Sequence, residues 1–82
     1  METRIAVIAI IVENRDSADE IHRLLHVYGE YIVGRMGVPY KQKNVSVISV
    51  ILDAPLNQIS ALSGKLGMLP GVSSKTVYSK EK

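Results

Sequence analysis

Two histidines, His22 and His26, stand four residues apart in a stretch of helical spacing, so both imidazoles fall on one flank a turn apart. That spacing can present two nitrogens to one metal ion. A closed site needs further donors. The chain has no Cys, so Glu30 or an acidic residue of another subunit would have to complete it. A solvated or interfacial helix flank accounts for the same pair without any ion. The second group is cationic. Arg35 and Met36 lie between Gly34 and Gly37, Pro39 and Tyr40 follow, and Lys41, Lys43 and Lys65 come later. A planar guanidinium beside exposed glycine N–H groups is the chemistry of a carboxylate or phosphate site, or of a contact with a protein partner. The plainer account pairs Arg35 with Glu30 or Asp53 in a solvated loop and leaves the glycines to turn geometry.

Other chemistry finds less support. Gly34-Arg35-Met36-Gly37 has the Gly-x-x-Gly form of an RNA-binding loop, but that loop joins two helices and this one ends a strand. The stretch 45–52 carries no aromatic residue on which a base could stack. Ser60 and Ser63 lack a nucleophile-elbow pattern, and no carboxylate pair is spaced around the histidines, so no catalytic set is read. Tyr28, Tyr31 and Tyr40 are expected as core or interface rings near the middle of the chain.

The elements that position these residues form two similar halves. Residues 5–12 are almost continuously β-branched and predict a strand buried on both faces. A polar turn at 13–16 ends it. Ser17 and Glu20 have capping-box spacing, and Ile21, Leu24, Leu25 and Tyr28 follow the i, i+3, i+4, i+7 rule of a helix facing a core. Gly29 is placed to close that helix in a left-handed conformation. A strand is expected over 30–36, with the run 34–40 as the hinge that leaves it and opens a polar loop through Asn44.

Residues 45–52 predict the next strand, with Ile48, Val50 and Leu52 on one face and Val45, Val47 and Ile51 on the other. Asp53-Ala54-Pro55 reads as a helix start, with the acid at the positive end of the dipole. Ile59, Leu62, Leu66 and Leu69 form the inward stripe, while Ser60, Gly64 and Gly67 keep other parts of that helix slim. Pro70-Gly71 is a turn, residues 72–78 the last strand, and 79–82 a frayed polar tail. Strand-helix-strand repeated twice favours an α+β, ferredoxin-like βαββαβ sandwich: a four-stranded antiparallel sheet with both helices on one face. The two most apolar strands then become the central ones. Their apolar character on both faces calls for a cover that the helices cannot supply, and a second copy of the chain is the simplest.

The chain of 82 residues is long enough for one domain, 1–82, and a core of that size is modest without association. A net charge of +2 is too small for an electrostatic nucleic-acid binder. The run after Met1 is far shorter than the ~20 residues of a membrane span. Absent thiols fit a reducing cytosol.

Three segments carry a resemblance: His26-Val27-Tyr28-Gly29 with Ile32-Val33, the run from Gly34 to Tyr40, and Ile59 to Gly67 followed by Leu69-Pro70-Gly71-Val72. In these the chain resembles an ACT-type regulatory domain, and more closely the iron-only (FeFe) hydrogenase system regulator family. The resemblance implies a stand-alone domain, ACT-like or like the C-terminal domain of nickel regulators, linked to hydrogenase maturation or its regulation. It carries over no catalytic or ligand set. The loop 13–17 lacks the Pro-Gly of amino-acid-binding ACT domains, and the chain starts at the first strand, without the ribbon-helix-helix segment of the nickel regulators.

The reading is a cytoplasmic, non-catalytic regulatory or accessory protein of the hydrogenase system, with no cofactor. It is a homo-oligomer, dimer or tetramer, through sheet face or edge. It binds a small effector or protein partner at Gly34, Arg35, Met36, Gly37, Tyr40 and Lys65, with no direct nucleic acid and no membrane. The alternative is a metal-sensing or metal-carrying protein using His22 and His26.

Overall fold

The computed structural model describes residues 2–80. Six main elements follow in order: β1 (Arg4–Val12), α1 (Ala18–Val27), β2 (Ile32–Tyr40), β3 (Val45–Ala54), α2 (Leu56–Gly67) and β4 (Val72–Tyr78). The strands form one antiparallel sheet in the order β2-β3-β1-β4. With the two helices this is the ferredoxin-like sandwich, and the two most apolar strands are central as expected. Ile8 and Ile10 of β1, Val50 and Leu52 of β3, Ile21, Leu24 and Leu25 of α1 with its C-cap residue Tyr28, and Leu62 and Leu66 of α2 make the main core. Every position of the two helical stripes that the spacing picked out is buried, except Leu69, which packs against the core half-buried.

Strand register separates the two sheet faces. Ala6, Ile8, Ile10 and Val12 turn toward the helices and are buried. Their neighbours Ile5, Val7, Ala9 and Ile11 turn outward, aligned through the register with Asp53, Ile51, Ser49 and Val47 of β3. Within one chain β1 is therefore buried on a single face, which corrects the expectation of burial on both. The outer face stays open.

Four local expectations change. The run Gly34 to Tyr40 is no hinge: it lies in β2, laddered to β3 from Gly34↔Ile51 to Tyr40↔Val45 after a bulge at Ile32/Gly34. Glycine and proline are tolerated because β2 is an edge strand, with ladder bonds on one side only. The polar loop shrinks to a 3-10 turn at Lys41–Lys43, closed by Asn44 in the left-handed region (φ 55). Gly29 does not end α1 with positive φ; it opens a second 3-10 turn, Gly29–Tyr31, that carries the chain into β2.

The capping box does not form. Ser17 is the N-cap residue of α1, but its hydroxyl donates to the carbonyl of Pro70 at 2.7 Å, and Glu20 pairs with Arg23. Ser17 thereby ties the start of α1 to the α2–β4 turn. Glu13 N–H donates to the Gly71 carbonyl at 2.7 Å in the same place. Gly71 has φ +68, and a Cβ there would stand 2.5 Å from Asn14 Cβ. Asp53 and Ala54 belong to β3, and Pro55 caps α2 without any acidic residue in its first turn. Of the slim positions on α2, Gly67 lies close to β4, where an added Cβ would meet Ser74 Oγ at 3.4 Å, whereas Gly64 faces open space. Ser79 is not frayed, since its N–H donates to the Ile5 carbonyl at 2.9 Å. Met1 and the last two residues of the expected tail, Glu81 and Lys82, lie outside the described residues.

Candidate functional site

One flank of α1 carries His22, Leu25, His26 and, just past its end, Gly29, at spacings of i, i+3, i+4 and i+7; the histidines are exposed and Leu25 is buried beneath them. The 3-10 turn at Gly29–Tyr31 brings the chain back beside this flank, so that Ile32 and Arg35 of β2 face it and the backbone of Gly34 lies between them. Together these residues line an open groove of about 290 Å³. Leu25 and Ile32 supply apolar wall, and His22, His26 and Arg35 supply nitrogen. Among the described residues no carboxylate lines it.

Arg35 is on the helix-side face of β2, opposite Val50 in the register. It is exposed and makes no ion pair among the described residues, so the pairing with Glu30 or Asp53 considered from the sequence is not formed there. His22 and His26 are exposed as well. Among the described residues no three His, Cys, Asp or Glu come together as a metal-holding group, so the histidine pair has no third ligand within them.

The remaining candidates stand elsewhere. Met36 is 65% exposed on the outer sheet face, beside Ser49, and Gly37 lies on the helix-side face over Ile48. Tyr40 lines a smaller hollow, about 100 Å³, near the hairpin tip with Arg15, Lys41 and Asn44. Lys65 of α2 donates to the Tyr28 hydroxyl at 2.9 Å and sits 5.2 Å from the centre of that ring. Arg35, Tyr40 and Lys65 thus line different depressions. The tyrosines also part company: Tyr28 is core, Tyr31 packs half-buried, and Tyr40 is at the tip. Ser63 hydrogen-bonds Thr76 at 2.9 Å and bridges α2 to β4. Leu25 and Gly29 were not singled out for the site, although their spacing from the histidines marks one helix flank.

The second surface feature is the outer sheet face. Register aligns Gly34, Ile51, Val7 and Val77 in one row across all four strands, and Val38, Val47, Ile11 and Ser73 in another. Ile5, Ile11, Met36, Val38, Tyr40, Val47, Ile51 and Val77 are between 40% and 69% exposed there. The strand residues on this face carry charge only at Asp53 and Lys75. Among the described residues no helix is long and apolar enough to cross a membrane.

Residues 4–76 match the sequence model of the TM1266-like family, whose description names an iron-only hydrogenase system regulator. Among solved structures, the chain is similar to the uncharacterized protein TM1266 from Thermotoga maritima. The two share 36% identity and a TM-score of 0.92, over 96% of this chain and 100% of that one. The C-terminal domain of the MgtC protein from Mycobacterium tuberculosis superposes with a TM-score of 0.69 at 12% identity, over 96% of this chain and 90% of that one. The second likeness is one of fold. No curated protein matches the chain.

Proposed function

The chain belongs to the TM1266-like family of iron-only hydrogenase system regulators, and from that premise we propose that it acts in the cytoplasm as a non-catalytic regulatory or accessory domain that self-associates through its outer sheet face. It binds a small effector or a protein partner rather than transforming a substrate. One observation carries this reading: an apolar face spanning all four strands, uncovered by the chain's own helices. Antiparallel sheets normally turn polar residues to solvent on an open face. Four strands at ~4.8 Å spacing, each of about eight residues at ~3.3 Å, give roughly 500 Å² in projection and more in accessible area. Two such faces together approach the ~1,200 Å² at which specific interfaces begin.

The lack of a nucleophile with a partnered base among the described residues supports the non-catalytic part. Ser63 is bonded to Thr76, Ser60 is exposed on α2, and the histidines face no carboxylate across their groove. Size-exclusion chromatography with light scattering tests the association. The expected mass is a dimer or a multiple of it at micromolar concentration. A folded monomer at that concentration overturns the reading.

A further inference from the structure

The groove between α1 and β2 joins two groups that lie on successive elements, the histidine pair and Arg35. We propose that this groove is a binding site for a small anion, a carboxylate or a phosphate, with Arg35 as its permanent charge and the imidazoles of His22 and His26 as flanking donors. The inference names the effector class for the regulatory reading above. It does not use the outer sheet face, so the two readings fail separately.

Charge decides the class of ligand. A guanidinium stays protonated at any working pH, and that of Arg35 has no ion-pair partner among the described residues. A divalent cation would meet this fixed positive charge with two imidazoles and no third ligand. An anion meets up to three nitrogen donors and no opposing carboxylate. Half-buried Ile32, with Leu25 beneath, gives the carbon skeleton of an organic ligand an apolar contact. About 290 Å³ is close to the lower bound of ligand pockets, ~300 Å³, so the occupant is of small-metabolite size.

Ring proton–carbon NMR spectra of the histidines in the full chain provide the test. Inorganic phosphate is titrated in one arm and acetate in the other, at one fixed pH. We expect a saturable displacement of the His22 and His26 signals in at least one arm. Arg35→Gln removes saturation and His26→Gln weakens it, with amide spectra otherwise unchanged because both positions are exposed. The arm that saturates at lower concentration assigns a carboxylate or a phosphate. Three results overturn the proposal: no saturation in either arm, undiminished affinity in Arg35→Gln, or micromolar saturation by zinc chloride that Arg35→Gln strengthens.

Discussion

Replacing Ile51 with lysine places an ammonium near the centre of the outer sheet face, in the row shared with Gly34, Val7 and Val77. Ile51 is 40% exposed in the single chain, so a second copy covering it would remove about 70 Å² of mostly apolar surface. At ~25 cal/mol per Å² that burial contributes about 1.8 kcal/mol per copy. A two-fold interface carries the change twice, for a loss of about 3.5 kcal/mol and a roughly 400-fold rise in Kd. Any residual burial of the ammonium adds to this, unless the side chain reaches the rim. The assay is light scattering or equilibrium sedimentation over micromolar concentrations, with circular dichroism as a check on the fold. Met68→Lys is the control, because Met68 is 84% exposed at the end of α2 and off the sheet. The parent and Met68→Lys are expected at one oligomeric mass and Ile51→Lys at the monomer mass. An Ile51→Lys protein with the parent's mass refutes the outer face as the interface.

Gly71→Ala forces a side chain into the left-handed region and against Asn14, so it should cost at least about 1–2 kcal/mol and lower Tm by roughly 5–15 °C. Gly64→Ala lies inside α2 with open space around it, so scanning calorimetry of both variants should show here a gain of about 0.5–1 kcal/mol. Ser17→Ala removes the hydrogen bond to the Pro70 carbonyl, and urea unfolding should report a loss of about 1–2 kcal/mol. The hydrogen bond from Arg23 holds the Glu20 carboxyl below its ordinary range. Its contribution to stability is therefore present above the unfolded-state pKa and fades as pH falls through the folded one. Because the pair is exposed, Glu20→Gln should leave the acid-unfolding curve almost unmoved.

The fold was legible where hydrophobic periodicity is strong. The runs around Ile8 and Val50 announce central strands, and Ile21-Leu24-Leu25-Tyr28 announces a helix against them, because burial demands these patterns. β2 runs on past Met36, where glycine and proline usually punctuate structure, because an edge strand with one free side accepts them. Ser17 departs from its spacing for another reason. Its spacing to Glu20 is local, while the acceptor it uses, Pro70, arrives from the far end of the chain. The site was half legible: the histidine spacing and Arg35 were each visible, but their meeting depends on how closely the Gly29–Tyr31 turn folds β2 back on α1. Lys65 could not be separated from Arg35 by charge alone, since what holds it is the hydroxyl of Tyr28.

The strand order also bears on the order of assembly during synthesis. β1 receives its β3 ladder from residues 46–54 but its β4 ladder, from Ala6↔Tyr78 to Val12↔Val72, only from residues made after α2. Contacts so distant in sequence close late. Until β4 emerges, one edge of the most apolar strand has no hydrogen-bonding neighbour on that side, a template for wrong pairing with other nascent chains. Truncations that remove β4 should therefore precipitate rather than merely lose stability.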